Sequence, residues 1–574
     1  MTSLEISEPN RRLKVDVAVV GGGPSGSTLG SILKKYRPDL KVAIFERERF
    51  PRDHVGESLI PAVTTILAEM GVWDKVEAAN FPIKLGATYR WGATDDLWKL
   101  DFLAHTDFTE TERPGKFESQ RAKTSFQVDR SIYDKILLDH AKELGCEVYM
   151  ETCITQVKSV AGFITGLVAR NSSDDTFEVK AKHYIDATGE SGLLRKALGV
   201  GVESPTSLRN IAFWDYWTHA EWPERYSGTA TRIQVLSLGW GWIWFIPITQ
   251  TRTSVGLVLP AEYYKKSGQR PLELYLEALQ TEPRVADLLA HASREDQFAT
   301  TKDWNFLASD LAGQNWFLIG DSCGFADPIL SAGLTLAQTS ARKVAYCILE
   351  LRRGRLSPEW IRRQYVESHR GQILHHMRFA EFWYAGNGCF TDLKEFCTTL
   401  ANEVGLNLTP DEAFAWLGGG GFALDRPGFA GALGFPLTGL QVIAKHLTGG
   451  AVKSAIRGCN CVQANLEGVS RSPYAIYEDG AIIQADSFNR SGAILPRIAI
   501  FELMLRAAIK PIYTDAWLTA CHRQGSPKGA EMSDFNHYLE VAEALVQEGW
   551  IQPSYNPAMP PSAIYGQKLP SNAT

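Results

Sequence analysis

The first folded segment is Val15-Asp16-Val17-Ala18-Val19-Val20, a short run of mostly β-branched apolar residues with turn chemistry directly behind it. Such a run predicts a buried strand. The turn Gly21-Gly22-Gly23-Pro24-Ser25-Gly26 follows, then a stretch over Ser27–Tyr36 that fits a helix. Lys41–Phe45 reads as a second strand and ends at Glu46. Two further strand-and-turn signals are Tyr184–Gly189 and Trp316–Asp321. Between them, residues 200–300 alternate apolar and polar positions with many aromatics, which predicts an antiparallel sheet. Helical spacing takes over from about Thr335, over Ala337–Arg352 and Pro358–Ala385. Gly418–Gly421, with more Gly and Pro up to Gly439, predicts a loop or lid. The stretch from Gln552 is rich in Pro, Ser and Asn and predicts a poorly ordered tail. No internal repeat interrupts this order.

Composition narrows the class. The 574 residues, 45% hydrophobic and 22% charged, suffice for a large core without disulfides or metals. Lys and Arg total 59 against 65 Asp and Glu, a net charge of −6, which argues against nucleic acid as the main partner. Nine scattered cysteines, with only Cys459 and Cys461 close together, fit reduced thiols and no metal site. The segment MTSLEISEPNRRLKV lacks an apolar signal core, and no run of 18 uncharged apolar residues occurs. The expectation is a cytoplasmic protein with no transmembrane segment.

The Gly21–Gly26 turn fits Gly-x-Gly-x-x-Gly between a strand and a helix. In that motif Gly21 permits the tight turn, Gly23 lets a pyrophosphate approach the backbone, and Gly26 allows close helix–strand packing. With Pro24 and Ser25 these residues make a candidate phosphate cradle at a helix N-terminus. Glu46 lies where an acid should meet the adenosine ribose hydroxyls.

Downstream, Asp186-Ala187-Thr188-Gly189 and Gly320-Asp321-Ser322 are spaced as in FAD-dependent enzymes of the hydroxybenzoate-hydroxylase type, which this sequence resembles. The resemblance implies that Asp186 and Gly189 lie near the nucleotide, that Asp321 holds the ribityl chain and that Arg130 contacts the flavin. It also implies an α/β fold: a Rossmann-like FAD-binding domain with an inserted antiparallel substrate sheet and a mostly helical C-terminal region. The expected core is 13–360, with FAD-binding segments near 13–80, 120–195 and 300–360 and the substrate-side sheet near 81–119 and 196–299. A substrate-related region over 361–551 and the tail over 552–574 complete it. One fingerprint means one dinucleotide fold, so a separate NAD(P)H-dependent flavin reductase is the expected electron source.

Trp242-Ile243-Trp244-Phe245-Ile246-Pro247 narrows the resemblance to the flavin-dependent halogenases. Period two puts Trp240, Trp242, Trp244 and Ile246 on one strand face. With Pro247, this implies a wall between flavin and organic substrate that small ions can pass. Lys84, in Phe81-Pro82-Ile83-Lys84-Leu85-Gly86 and after Gly56-Glu57-Ser58-Leu59-Ile60-Pro61, resembles that family's essential lysine. The Asp327-Pro328-Ile329-Leu330-Ser331-Ala332-Gly333 segment resembles the loop over the flavin, where the amides of Ala332 and Gly333 would hold the halide. The implied chemistry uses FADH2, O2 and chloride or bromide: a flavin hydroperoxide oxidises the halide to hypohalous acid, which the lysine then positions or binds. Tryptophan halogenases carry a glutamate where this chain has Leu330, a departure that favours the phenol and pyrrole branch. The expected substrate is therefore an electron-rich, tyrosyl-like aromatic of natural-product biosynthesis, free or on a carrier protein. The rival readings are a direct FAD hydroxylase, a geranylgeranyl-reductase-like enzyme and a non-catalytic flavin-binding interaction protein.

Overall fold

In the computed structural model, which describes residues 12–91, 96–103, 105–206, 208–302, 304–385, 456–490, 493–497, 499–525 and 532–566, the Val17–Val20 strand is buried along its whole length. That is what apolar residues on both faces of a covered strand require. It lies at the centre of a parallel sheet in the order Trp316–Leu318, His183–Asp186, Val17–Val20, Val42–Phe45, Glu147–Tyr149. Pro24–Tyr36 is the first helix, with Pro24 in its first turn, and Arg130–Glu143 and Gly333–Arg353 pack against it. Gly21 has φ +109°, and a Cβ there would meet the Ala187 carbonyl oxygen at 2.2 Å. A Cβ on Gly26 would lie 2.0 Å from the Gly21 carbonyl oxygen. Close packing of strand, turn and helix thus explains both glycines.

The second large sheet runs Ser293–Arg294, Asn210–Thr218, Arg252–Pro260, Trp242–Pro247, Thr231–Ser237, Ile83–Arg90, Leu97–Asp101. Ala299–Lys302 and Ser125–Phe126 pair at its sides. The expected antiparallel pairing holds along this path except once: Thr231–Ser237 runs parallel to Ile83–Arg90. Its two faces separate by period two. Phe213, Ile243, Phe245, Val255 and Leu257 pack under Leu274, Tyr275 and Ala278 of helix Pro271–Thr281. The alternate residues face the cavity described below. A four-stranded sheet, Arg12–Lys14, Thr176–Lys180, Phe163–Arg170 and Cys153–Val160, completes this part.

The described residues form two compact units, one within 1–90, 97–381 and 477–483, the other within 91–96, 382–476 and 484–574. The expected boundary at 360 falls inside helix Pro358–Ala385, whose Ile361, Tyr365 and Ile373 are buried. In the second unit, strands share the C-terminal region with helices Ala499–Ala507, Thr514–Gly525 and Met532–Gln547. Trp517, Leu518, Trp550 and Ile551 centre its core. The expected poorly ordered tail gives way at its start to a strand, Ile551–Ser554, which pairs with Cys461–Ala464 because Trp550 and Ile551 anchor it in that core. The expected loop at 418–439 lies outside the described residues. Among the described residues no helix is long and apolar enough to cross a membrane.

Candidate active site

The parallel sheet and the aromatic face of the large sheet enclose a cavity of about 1030 Å³. Small-molecule sites occupy roughly 300–1,000 Å³, so this one has room for a dinucleotide. One end is made of backbone. Gly21, Gly23, Pro24 and Ser25 line it, and helix Pro24–Tyr36 has no side-chain cap on its first amides. A Cβ on Gly23 would find only Arg52 Nη2, at 3.6 Å, so this face of the loop is open to the cavity. Gly26 does not line it; its part is the packing already described. Glu46 does, with its carboxylate held by the backbone N–H groups of Gly22 (2.7 Å) and Glu48 (2.9 Å). An open amide loop followed by a fixed carboxylate fits the pyrophosphate and ribose of FAD.

Arg130 also lines the cavity. Its Nε and Nη2 donate to Asp134 at 2.7 and 2.9 Å, and its Nη1 donates to the carbonyls of Val55 and Gly56. It thereby ties helix Arg130–Glu143 to the Gly56–Ser58 segment. Asp321 faces the cavity from the Gly320–Ser322 turn, and burial pushes its carboxyl up to about 6. Asp186 departs from expectation. Its carboxylate accepts from the Thr188 N–H and Oγ1 and from the N–H groups of Leu194 and Arg195, and it does not line the cavity. It shapes the turn whose Ala187, Thr188 and Gly189 are in the lining.

The opposite wall is aromatic. Trp242, Trp244 and Ile246 line it, joined by Trp214, Ile233 and Val235 from neighbouring strands; Pro247 is not in the lining. Trp214 and Trp244 both pair in register with Gly256 between them, and a Cβ on Gly256 would lie 2.1 Å from the Trp244 ring. Glycine there is what lets the indole lie flat across the strand, with Nε1 donating to Ser254 Oγ at 3.1 Å. Trp240 is a correction. The chain turns at Gly239 (φ +77°) before the strand begins at Trp242, so Trp240 packs with the opposite face and stacks on Tyr263.

Lys84 is buried, 2% exposed, and has no carboxylate partner among the described residues. Its Nζ donates to Ser58 Oγ at 2.7 Å and to Ser331 Oγ at 3.4 Å, and lies 5.4 Å from the centre of the Phe102 ring. The two hydroxyls are themselves 3.1 Å apart, and both residues line the cavity although Lys84 does not. Burial alone brings the amine down to about 7, because a cation without a counter-charge is poorly solvated there. Gly333 lines the cavity and Ala332 does not; the two open helix Gly333–Arg353, where first-turn amides lack intrahelical acceptors. Sequence reading missed Ser58, Ser331, Trp214 and Glu57. Glu57 accepts from Tyr216 Oη at 3.0 Å, and burial pushes its carboxyl up to about 7. Glu57, Ser58 and Ser331 lie in segments that carry the family resemblance, but only the three-dimensional neighbourhood gives them, and Trp214, a part in the site.

Comparisons with known proteins fit this geometry. The FAD binding domain family matches residues 14–373. A 1H-pyrrole-2-carbonyl-(peptidyl-carrier protein) chlorinase of Pseudomonas fluorescens is 35% identical over 349 residues, 58% of this chain and 76% of that one. A tryptophan 2-halogenase of Chondromyces crocatus is 31% identical over 363 residues, 62% of this chain and 65% of that one. The myxobacterial chondrochloren halogenase structure has a TM-score of 0.59 at 25% identity, covering 75% of this chain and 96% of its own. The flavin-dependent halogenase CmlS, at 22% identity, shares the fold with a TM-score of 0.71 over 96% of this chain and 97% of its own.

Proposed function

Since the chain belongs to the FAD binding domain family and is within it an FAD-dependent halogenase, we propose that it chlorinates or brominates an electron-rich phenolic or pyrrole ring at Lys84. The observation that carries this reading is the buried, carboxylate-free Lys84 amine, linked through Ser58 and Ser331 to a cavity walled by Trp214, Trp242 and Trp244. Bound reduced FAD, with O2, would supply the oxidising equivalent that turns halide into hypohalous acid. The residues of this chain do the rest. Gly21, Gly23, Pro24, Ser25 and Glu46 hold the nucleotide end, and Asp321 meets the ribityl hydroxyls. Arg130 fixes the segment that carries Ser58. The amides of Ala332 and Gly333 hold the halide. The indoles keep the organic ring away from the flavin, and Lys84 receives and orients the oxidant, its amine neutral enough near pH 7 to act as a base.

Leu330, in place of a carboxylate, leaves ring activation to the substrate itself, which suits a phenol or pyrrole. The carrier-bound pyrrole named for the Pseudomonas fluorescens relative supports a tethered substrate. Reduced flavin comes from a separate NAD(P)H-dependent reductase in the cytoplasm, in keeping with a single Gly-rich dinucleotide loop and with seven described cysteines that are all free. The test is a reaction with FADH2, O2, chloride or bromide, and a panel of phenols and pyrroles, free and carrier-tethered, read by mass spectrometry. The expected product carries one halogen in place of one hydrogen. A product carrying added oxygen and no halogen would identify a hydroxylase and overturn the reading.

A further inference from the structure

Beside the main cavity lies a much smaller one, lined by Ser204, Leu208, Arg209, Asn210, Trp304 and Asn305. Trp304 lines both, so the two adjoin at that residue. Asn210 and Asn305 are only 6% and 7% exposed, yet Asn210 Nδ2 has no acceptor and Asn305 Oδ1 no donor. Buried amide groups are rarely left so, because the desolvation is then uncompensated. Arg209 Nη1 donates to the carbonyls of Thr206 (3.0 Å) and Leu208 (2.8 Å), which fixes the guanidinium at the pocket. Glu203 nearby is paired with Arg370 at 3.2 Å, and no carboxylate lines the pocket among the described residues. A fixed guanidinium and an unmet amide donor, with no facing acid among the described residues, favour an anion over a cation. At about 80 Å³ the pocket lies well below the roughly 300–1,000 Å³ of an organic-ligand site, which suits a small ion.

Its place in the fold says which reaction it serves. Asn305 Nδ2 donates to the Ala326 carbonyl at 3.0 Å, and Phe306 pairs with Phe325. The Phe325 ring in turn lies against Gly333, 2.9 Å from where a Cβ would be. The small pocket therefore adjoins the strand that leads into the Asp327–Gly333 segment, on the side of the cavity that Gly333 lines. With FAD in the main cavity and the indole wall on its far side, a halide needs its own way in. We propose that this pocket is a halide anteroom: Arg209 draws the ion from solvent, Asn210 Nδ2 donates to it, a water on Asn305 Oδ1 completes its shell, and it passes Trp304 into the cavity. This rests on the reading that halide is consumed in that cavity.

The test uses the holoenzyme with bromide as the probe. Bromide should give an anomalous scattering peak within hydrogen-bond reach of Asn210 Nδ2. Asn210→Asp keeps the shape and replaces the donor with an anion. It should raise the KM for bromide about tenfold or more, the scale of one hydrogen bond to a charged group, while kcat at saturating bromide and FAD content stay unchanged. Should that variant fail to retain FAD, the exposed Arg209→Ala leaves the interior intact and should still raise the KM for bromide several-fold. An unchanged bromide dependence in both variants overturns the proposal: with a peak present the site holds an adventitious ion only, and without one it holds water. Failure of the underlying halogenation reading would look different, as a wild-type enzyme that makes no halogenated product at all.

Discussion

The two ends of the main cavity are built in opposite ways. At the nucleotide end recognition is a matter of backbone: an open loop at Gly21–Ser25, a helix start without a side-chain cap, and one carboxylate, Glu46, fixed by two amides. All of it comes from one strand–helix–strand unit. At the lysine end recognition is a matter of side chains: Ser58, Lys84 and Ser331 come from three separate segments and meet only in the fold. The first end needs space and free amides, which glycine provides locally. The second needs an amine stripped of solvent and of counter-charge, which no local sequence can provide. A cofactor cradle can therefore be contiguous, whereas a tuned catalytic amine is an outcome of packing.

The largest effect should come from breaking the lysine end alone. Lys84→Ala should retain FAD, consume oxygen when given FADH2, and release free oxidant. Product formation should fall by several orders of magnitude, since positioning alone can contribute roughly 7–11 kcal/mol. Lys84→Arg keeps the charge but offers a delocalised, always protonated guanidinium, and should be nearly as inactive if the amine's lone pair takes part. Product yield and oxygen uptake, measured side by side, separate the two ends. Normal regioselective halogenation by Lys84→Ala would reduce this residue to a buried structural lysine.

Breaking the nucleotide end should divide into two phenotypes. Gly26→Ala puts a Cβ 2.0 Å from a backbone oxygen, so the turn itself must shift. Overpacking of this kind costs about 1–3 kcal/mol, and the variant should melt lower as well as lose FAD. Gly23→Ala meets nothing closer than 3.6 Å, at a φ of −65° that alanine tolerates. It should melt like wild type without FAD and yet bind FAD at least about tenfold more weakly, because the added methyl stands where a phosphate must approach the backbone. Thermal melts of the apoproteins beside flavin titrations check both. Equal FAD affinity in Gly23→Ala and wild type would remove the pyrophosphate from this loop.

The same division decides what the sequence could reveal. Strands, helix and turn around Gly21–Gly26 follow from apolar runs and glycine spacing, and the structure has them within a few residues. Trp242, Trp244 and Ile246 share a face because a strand alternates, but Trp240 does not, since no periodicity count shows that the strand starts only after the Gly239 turn. Asp186 was legible as part of a flavin-family motif at a strand-end turn and not as an acid whose oxygens are taken by its own chain neighbours. Trp214 lies opposite Gly256, a pairing that exists only once the strand register is known. Ser58 and Ser331 matter through contacts across 26 and 247 residues from Lys84. Sequence reading reaches what is local and periodic, and loses what depends on register and long-range packing.

The smallest and most diagnostic effect is a shift in pH dependence. Burial lowers Lys84 to about 7, so the amine is an ammonium below that pH and a free base above it. If its lone pair receives the oxidant, product formation at saturating FADH2 should be low near pH 6, half-maximal near 7 and level by about 8. A rate that falls over the same range would instead assign the work to the ammonium as a hydrogen-bond donor. Glu57, raised to about 7, titrates in the same window, and Glu57→Gln removes it from the profile. Ser58 then sharpens the assignment. Its Oγ accepts from Nζ at 2.7 Å, and an acceptor stabilises the charged amine more than the neutral one. Ser58→Ala should therefore lower the midpoint, by about half a pH unit to one unit, which is the worth of a ~0.5–1.5 kcal/mol hydrogen bond at ~1.4 kcal/mol per unit. Oxygen uptake, which the nucleotide end governs, should keep its own profile in that variant. A midpoint that stays put in Ser58→Ala, or moves together with oxygen uptake, would mean that the titrating group is not Lys84.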